Sequence, residues 1–371
     1  MKRTIERVEV FGVDMPLVGT FTSAGIAKQV TKCVVIRLTA ADGTTGISSI
    51  EPSANAASPG TAAELAVALR ERIAPAIVGQ DPLNIHRLIE LFDRLTPGQP
   101  GAAAGAEMAC VDLAARICGV PMHTYLGGAV VTRVEFNGWI GALPANEAAA
   151  EAKRWLKAGF KSAKIKVGSG VEADHDRVAA VREAVGGAMK LRMDANCLYD
   201  ADTSLRLARL VRQYDLQLFE QPAAKDDIAG LARVRKEGGM PVMADESVSD
   251  HASLLAVIKA GAADFVKFGV KQAGGILRAA HMLATAQAAG IPCVIGHGFG
   301  LDPSTLAEVM LAATSRNVVA GLECVGPLKV VDTVATTRLD ISSGSLTLPE
   351  GPGLGIGLDA AKLEKYRPRP H

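Results

Sequence analysis

The sequence predicts an α/β protein in which a small α+β unit precedes a closed parallel (β/α) barrel. From about residue 134 onwards, short apolar segments alternate with helical segments of roughly 10–16 residues. Eight apolar segments have the character of buried parallel strands: 134–139, 163–167, 191–194, 216–220, 242–245, 265–268, 293–295 and 318–323. Eight strand–helix units in roughly 200 residues are typical of a closed barrel.

A doubly wound parallel sheet is the alternative fold. That fold requires a glycine-rich phosphate-binding turn after its first strand. The segment Gly138-Trp139-Ile140-Gly141 does not supply such a turn, so the barrel is favoured.

The region before the barrel has a different character. Residues 4–12 and 30–40 are rich in Val, Ile and Thr and predict strands, and a Ser/Pro/Gly-rich loop follows over 48–60. Helical patterns then cover 62–74, 82–95 and 104–117. This region is therefore expected to form an α+β domain.

After residue 325 the chain becomes irregular, with strand-like stretches at 337–341 and 345–348. We expect this last part to return to the N-terminal domain. The expected division is an N-terminal domain over 1–128, the barrel over 129–328 and a C-terminal segment over 329–371.

Composition excludes several classes of protein. Apolar residues make up 49% of the chain, and 40 basic residues nearly balance 39 acidic ones. A nucleic-acid or membrane-surface partner would require a basic face, so neither is expected. No apolar run reaches about 20 residues, so no membrane span is expected either. The six cysteines form no C-x-x-C pair and the charged N-terminus has no signal-peptide core, which together indicate free thiols and a cytoplasmic protein.

Residues that carry chemistry fall at the predicted strand ends. In a (β/α) barrel the carboxyl ends of the strands converge on one mouth, where active sites form. Nearly every predicted strand ends in or near such a residue: Lys164, Lys166, Asp194, Glu220, Asp245, Lys267, His297 and Glu323. We expect these side chains to share one site.

Asp194, Glu220 and Asp245 are carboxylates at three successive strand ends. Three anions held close together repel one another unless a cation neutralises them. Oxygen ligands of this kind select Mg²⁺ over zinc or copper, with Mn²⁺ as a substitute. The alternative is that each carboxylate caps a helix or pairs with a lysine.

Lys164 and Lys166 alternate along the second predicted strand, so both side chains face the barrel interior. Buried lysines need carboxylates or a substrate anion nearby. A lysine in a positive, partly desolvated site has a lowered pKa and can act as a base. The alternative is a pair of structural salt bridges to Asp194 and Glu220.

Several short motifs occur in a fixed order along the chain. They are Asp112-Leu113-Ala114, Lys164-Ile165-Lys166, Met193-Asp194-Ala195-Asn196, Phe219-Glu220-Gln221-Pro222, Ala244-Asp245-Glu246-Ser247 and Pro352-Gly353-Leu354-Gly355. In order and spacing they resemble the signature of the enolase superfamily, and within it the branch of mandelate racemase and muconate lactonizing enzyme. The resemblance covers nearly the whole chain.

The resemblance implies that the N-terminal α+β domain caps a modified TIM-type (β/α) barrel. It also implies that Mg²⁺, held by Asp194, Glu220 and Asp245, binds the carboxylate of a small-molecule substrate. A homo-oligomer, either a dimer or an octamer, is a further expectation from the family.

Roles for the lysines and their neighbours are implied in the same way. Lys166 matches the base that removes the proton next to the substrate carboxylate and so forms a metal-stabilised enolate. Lys164 matches a residue that neutralises the carboxylate. Asn196 and Glu246 belong to the same motifs and are expected around the metal and the substrate.

The sixth predicted strand departs from the family pattern. Members with a second lysine base carry it five residues before a Gly-Gly pair, and that position here is Gly269. Lys267 and His297 are the remaining candidates for a second acid–base group, while Lys271 resembles a lysine that many members carry near the glycines. The second acid–base group is therefore Lys267, His297 or neither, which favours one-base chemistry. Of the two residues, His297 is favoured, in an acid role.

Each of these candidates has a structural alternative. Lys267 would be an inward lysine paired with Asp245 or Asp264, and His297 a loop residue. Glu323 resembles an eighth-strand carboxylate that bonds the substrate carboxylate or helps to donate a proton, a role that requires its protonated form. The alternative for Glu323 is a lysine partner.

Substrate identity in this family lies in loops of the capping domain, here 17–27 and 48–59. The first contains Phe21 and Ser23, which we expect to contact the substrate. Neither loop carries a cationic cluster, which favours a substrate whose distal group is small or uncharged.

The expected activity is that of an isomerase, either a cycloisomerase or a racemase/epimerase. A dehydratase using the same enolate and a non-catalytic scaffold for a metal or a carboxylate are the alternatives.

Overall fold

The N-terminal part is built on a three-stranded antiparallel sheet. Its strands are β1 (Ile5–Ser23), β2 (Ile26–Ala40) and β3 (Thr45–Ile50), in that order across the sheet. The computed structural model describes residues 3–23, 26–52, 61–296 and 298–368, without the side chains of 21–23, 26 and 27. The strands predicted at 4–12 and 30–40 are confirmed inside these longer ones.

Much of the two segments predicted as loops is strand. Residues 17–23 continue β1, and 21–23 pair with 26–28 of β2 after a break in register that follows Pro16. Residues 48–50 belong to β3 and pair with 34–36. Pro16 has no N–H for the ladder, but β1 lies at the edge of the sheet, where proline is tolerated. The loop prediction was wrong there because the hairpin extends well past the proline; residues 53–59 lie outside the described part.

Three helical stretches accompany this sheet, as predicted but with shifted ends. The first runs over 62–77, including a π-helical stretch at Ala68–Ile73. It begins at a capping box, in which Thr61 Oγ1 accepts from Glu64 N at 3.2 Å and Thr61 N donates to Glu64 Oε2 at 2.6 Å. The next two are Ile85–Leu95 and Pro100–Ile117. A short helix, Met122–Tyr125, follows.

The barrel sheet contains seven parallel strands in sequential order. A preceding strand, β4 (Arg133–Glu135), stands outside it. The seven strands are β5 (Gly138–Ile140), β6 (Ser162–Lys166), β7 (Lys190–Asp194), β8 (Leu218–Glu220), β9 (Val242–Ala244), β10 (Phe265–Phe268) and β11 (Cys293–Ile295). The predicted first strand, 134–139, is thus two separate strands, since β4 pairs antiparallel with β12 (Ser345–Thr347).

The barrel closes through residues 318–323, which do not form the regular strand predicted there. Val318 bridges to Cys293 of β11, and Leu322 bridges to Phe136, next to β5. Between these two bridges, Gly321 has a φ of 91°, a left-handed conformation that interrupts a strand. The eighth side of the barrel is therefore two single bridges around a glycine.

Helices form the outer layer, and the seven connections predicted as helical are confirmed. They are Ala145–Ala158, Val171–Val185, Ala201–Val211, Ile228–Glu237, His251–Ala260, Ile276–Ala288 and Asp302–Ala312, with an additional short helix at Val270–Ala273. The six cysteines are free, as predicted. None of the helices in the described ranges is both long and apolar enough to cross a bilayer.

The C-terminal segment contacts the N-terminal part at several places, and at the first of them residues 329–331 bond to residues 16–18 of β1. Gly353 N donates to Val120 O at 2.9 Å, and Asp14 N donates to Tyr366 O, beside the last helix (Ala360–Lys365), at 2.8 Å. The strand predicted at 337–341 is wrong, because Leu339 N donates to the Asp302 side chain at 2.7 Å instead of to a neighbouring strand. The exact domain limits at 128 and 328 stay a prediction.

Candidate active site

Neighbouring parallel strands bring the predicted carboxylates and lysines to one end of the barrel. In the strand register Lys166 lies beside Asp194, and Asp194 beside Glu220. Asp245 follows directly after β9, and Lys267 lies on β10. The expectation that strand ends converge is met for these five residues.

Lys164 is enclosed by carboxylates. Its Nζ lies 3.0 Å from Asp194 Oδ2, 2.9 Å from Glu220 Oε2 and 2.5 Å from Glu323 Oε2. Burial alone would lower the pKa of Lys164, but the three carboxylates outweigh it and raise this pKa above its ordinary value. Lys164 is therefore a charged group that holds the acid cluster together.

Lys267 has the same character on the other side of Glu220. Its Nζ lies 2.8 Å from Glu220 Oε1, 2.8 Å from Asp245 Oδ2 and 3.0 Å from Glu323 Oε2. Burial opposes the charge, but the carboxylates, Asp245 first, hold the pKa of Lys267 well above its ordinary value. The structure thus supports the inward, paired reading of Lys267, with Asp245 as one partner.

Glu323 does not have the environment of a protonated acid. Lys164 and Lys267 contact its Oε2, and Arg192 Nη1 lies 3.3 Å from its Oε1. Burial raises the pKa of Glu323, but these three cations outweigh it and hold the pKa well below the ordinary value. The expectation of a protonated Glu323 was wrong, because its neighbours are cations as well as anions.

Lys166 differs from the other two lysines in its access to solvent. Its Nζ lies 2.6 Å from Asp194 Oδ2 and 2.5 Å from Asn196 Oδ1. Its side chain is 29% exposed, against 9% for Lys164 and 7% for Lys267. Two acceptors occupy two of its three N–H donors, so one donor remains for a bound molecule.

Asn196 connects Lys166 to the edge of the acid cluster. It has a φ of 44°, and its backbone N donates to Asp194 Oδ1 at 2.9 Å. Its side-chain Nδ2 donates to Glu246 Oε1 at 3.0 Å. Burial, followed by the charges of Asp245 and Asp194, raises the pKa of Glu246 to about 7. Both residues therefore lie next to the predicted metal ligands, as expected.

The three predicted metal ligands surround a common space, although ammonium groups separate them. Asp194 and Glu220 both contact Lys164 Nζ, and Glu220 and Asp245 both contact Lys267 Nζ. Within the ranges that the structure describes, no three acid, histidine or cysteine side chains are grouped closely enough to hold an ion directly. Three lysines, Lys164, Lys166 and Lys267, form ion pairs with these carboxylates instead.

The donor set nevertheless fits a divalent cation. Its oxygens are hard carboxylate ligands, the kind that Mg²⁺ prefers. Beside them, Glu246 Oε2 is buried and has no hydrogen-bond partner among the residues that the structure describes. A buried carboxylate oxygen without a partner is costly, and a nearby cation would relieve that cost.

Two glutamines that position Asp245 were not predicted as site residues. Gln221 Oε1 accepts from Asp245 N at 2.9 Å and from Ser247 N at 3.2 Å, which fixes the chain just after β9. Gln272 Nε2 donates to Asp245 Oδ1 at 3.2 Å. Gln221 lies inside a quoted motif, so its position could have marked it; Gln272 had no such signal.

The other predicted site residues lie elsewhere or outside the description. Gly269 precedes the short helix Val270–Ala273, and Lys271 Nζ pairs with Glu51 Oε1 at 3.2 Å. His297 and the side chains of Phe21 and Ser23 lie outside the described part of the chain.

Sequence reasoning also missed two lysines that approach the mouth from different parts of the chain. Lys28 Nζ lies 3.5 Å from the centroid of the Phe299 ring, and Lys329 Nζ lies 4.5 Å from the same centroid and 4.6 Å from that of Trp139. Burial, then the charges of Lys166, Lys164 and Lys28, hold the pKa of Lys329 well below its ordinary value. The mouth therefore contains two lysines that the specificity loops alone did not indicate, and burial and mutual repulsion disfavour the charged form of Lys329.

Comparison with known proteins covers both parts of the chain. The family model described as mandelate racemase / muconate lactonizing enzyme, N-terminal domain, matches residues 5–127. The model described as enolase C-terminal domain-like matches residues 147–362. Together these two matches leave out only short segments.

Relatives that match over nearly their full length belong to the same kinds of enzyme. The chain is 31% identical to L-Ala-D/L-Glu epimerase of Bacillus subtilis, over 97% of this chain and 98% of the relative. It is also 31% identical to muconate cycloisomerase 1 of Rhodococcus opacus, over 97% and 98%. The structure superposes on N-succinyl Arg/Lys racemase from Bacillus cereus with a TM-score of 0.93 at 26% identity, covering 99% and 98% of the two chains.

Epimerases, racemases and cycloisomerases are all isomerases, so the predicted enzyme class is confirmed, as is the modified (β/α) barrel with its N-terminal cap. The chain belongs to the mandelate racemase / muconate lactonizing enzyme family of the enolase superfamily.

Proposed function

We propose that the protein is a one-base isomerase of the cycloisomerase type, in which Lys166 exchanges a proton with the carbon next to a substrate carboxylate. The observation that carries this proposal is the unequal access of the three site lysines. Lys166 is 29% exposed, whereas Lys164 and Lys267 are 9% and 7% exposed and bonded to carboxylates. A lysine enclosed by anions has no N–H for a carbon atom of a substrate.

Asp194, Glu220 and Asp245 would hold Mg²⁺, or Mn²⁺ in its place. When bound, the ion neutralises the negative charge that develops on the substrate carboxylate as the neighbouring proton leaves. Lys164 keeps two of these carboxylates in place through its contacts with Asp194 and Glu220. A homo-oligomer remains an expectation from the family.

The proton transfer is simple to write for cycloisomerisation. A second carboxylate of the same substrate adds to a carbon–carbon double bond, and the electron pair of that bond moves toward the first carboxylate. Lys166, whose Nζ is hydrogen-bonded to Asp194 and Asn196, donates a proton to the carbon next to it. In reverse, the Lys166 amine takes this proton and the ring opens. One acid–base group on one face is sufficient.

Lys28 and Lys329 support a substrate with a second anionic group. Both ammonium groups lie over the Phe299 ring, near Lys166. Among the described residues no carboxylate lies within ion-pair distance of Lys28. A substrate anion there would offset the repulsion that lowers the pKa of Lys329. We therefore replace the sequence-based preference for an uncharged distal group with an anionic one.

The test is proton exchange followed by NMR in deuterated water, with Mg²⁺ and a library of mono- and dicarboxylic acids. Lys166→Met should lose exchange by at least the roughly 10²–10⁴-fold typical of a general base. Lys161→Met, which removes an exposed lysine just before the same strand, is the matched control. Chelation of the metal should also stop exchange in the parent protein.

The outcomes separate the candidate reactions. Exchange with ring closure and no change of configuration supports the proposal. Inversion at the exchanging carbon would instead establish an epimerase with a second acid–base group, and loss of water would establish a dehydratase. Undiminished exchange in Lys166→Met would exclude Lys166 as the proton carrier.

A further inference from the structure

Lys267 places an ammonium group between two of the proposed metal ligands. Its Nζ contacts Glu220 Oε1 and Asp245 Oδ2, both at 2.8 Å, and the side chain is 7% exposed. We propose that Lys267 is the resident counter-ion of the metal-free site and competes with the divalent ion for Glu220 and Asp245. This inference rests on the proposed function only in taking these carboxylates as metal ligands.

The competition follows from the space around the shared oxygens. Mg²⁺ binds oxygen at about 2.0–2.1 Å and demands near-octahedral geometry. The Lys267 ammonium lies 2.8 Å from one oxygen of each of the two carboxylates that would hold the ion, so an ion held by both would have to displace it. It would also bring a unit charge within a few ångströms of a divalent one, where repulsion is strong. The ion and the Lys267 ammonium therefore exclude each other from this position.

Lys267 is better placed for this role than Lys164. Lys164 contacts Asp194 and Glu220 but has no contact with Asp245 among the described ion pairs, so it leaves the third ligand open. Among the described ion pairs, only Lys267 joins Glu220 to Asp245. The other oxygen of Asp245 is held by Gln272 Nε2 at 3.2 Å, which leaves Oδ2 directed to Lys267.

Once displaced by an ion, the Lys267 ammonium still has Glu323 as an acceptor. Glu323 Oε2 lies 3.0 Å from Lys267 Nζ and belongs to the last barrel segment. By keeping this contact, Lys267 can release Glu220 and Asp245 without becoming an unpaired buried charge, which would be costly. We therefore expect a folded, neutralised site without metal, and metal binding that is weak and reversible.

The experiment is calorimetric titration of the chelator-treated full-length protein with MgCl₂, which requires no substrate. Lys267→Met should bind Mg²⁺ at least about tenfold more tightly than the parent, because the competing charge is gone. Lys267→Gln, which keeps an N–H donor, should also bind Mg²⁺ more tightly than the parent. This second variant replaces Lys267→Met if the latter folds poorly. Lys271→Met is the control, since it removes a buried lysine whose partner is Glu51; its affinity should match the parent's.

Equal or weaker binding by both Lys267 variants would overturn the inference while leaving the metal ligands intact. The proposed metal site itself is wrong if Mg²⁺ and Mn²⁺ bind to none of the parent, the Lys267 variants and Asp245→Asn. In that case the inference about Lys267 is wrong as well.

Thermal unfolding gives a second readout. Metal-free Lys267→Met should melt below the parent, and Mg²⁺ should raise its melting temperature more than it raises the parent's.

Discussion

Asp112 is a buried carboxylate that joins three parts of the chain, and its removal gives a sharp test of the fold. Its Oδ2 accepts from Ile47 N in β3 at 2.7 Å and from Arg116 Nε at 2.9 Å. Its Oδ1 accepts from Leu354 N in the C-terminal segment at 2.6 Å. Asp112→Ala leaves two buried backbone N–H groups without an acceptor.

The size of the effect follows from these contacts. Each buried donor left unsatisfied costs about 1–3 kcal/mol. Arg116 adds little, because its side chain is 20% exposed and its Nη2 keeps a bond to Ile356 O at 2.5 Å. Burial raises the pKa of Asp112 to about 6, so losing the carboxylate also removes a desolvation cost. We expect the free energy of unfolding to fall by about 3 kcal/mol in total.

Urea unfolding followed by two signals measures this loss. Circular dichroism reports on the whole chain, whereas the two tryptophans, Trp139 and Trp155, both report on the barrel. Asp200→Ala is the control, because it removes an exposed helix cap that accepts from Thr203 N at 2.7 Å and is worth about 1 kcal/mol. A loss for Asp112→Ala no larger than that of Asp200→Ala would refute the reasoning.

Two further predictions concern the join between cap and barrel and the support of the site. Glu107 accepts from Ile276 N at 2.6 Å and Leu277 N at 2.9 Å, and burial raises its pKa to about 7. Because this pKa is higher in the folded protein, the contribution of Glu107 to stability should be greatest below about pH 4.5 and should fall by about 3 kcal/mol as the pH rises through 7. An unchanged pH slope of the unfolding free energy in Glu107→Gln would contradict this. Gln221→Leu removes the acceptor of Asp245 N, so calorimetry should show Mg²⁺ binding weakened by about tenfold. Parent-like affinity would show that Gln221 does not position that carboxylate.

Periodicity predicted the barrel well because its strands and helices are local. Each short apolar segment ends near a polar residue, and parallel strands necessarily place those ends together. Asp194 and Glu220 could therefore be assigned to one site from their positions alone, and the structure places them side by side. The same reasoning failed at 318–323, because Gly321 adopts a left-handed conformation that interrupts the strand and that the apolar pattern does not indicate.

The charge balance of the site could not be predicted from the sequence. Each acid was visible, but which ammonium group faced which carboxylate depended on side-chain reach across several strands. Glu323 shows the consequence, since two lysines and Arg192 reverse the expected direction of its pKa. Lys28 and Lys329 were missed for a related reason: they are far apart in the sequence and meet only at the Phe299 ring.

Depth along a strand decides what a lysine does in this barrel. Lys164 and Lys166 lie on the same face of β6, two residues or roughly 6–7 Å apart. The deeper one is bonded to three carboxylates, and the other reaches the open mouth. On β10 the deeper position is Lys267, and the position two residues nearer the mouth is Gly269, which has no side chain. A lysine placed two residues deeper on a strand still points into the barrel, but it contacts the carboxylates instead of the substrate. Lys166, near the mouth of β6, can therefore transfer a proton. Lys267, at the deeper position of β10, is instead a counter-ion that competes with the metal.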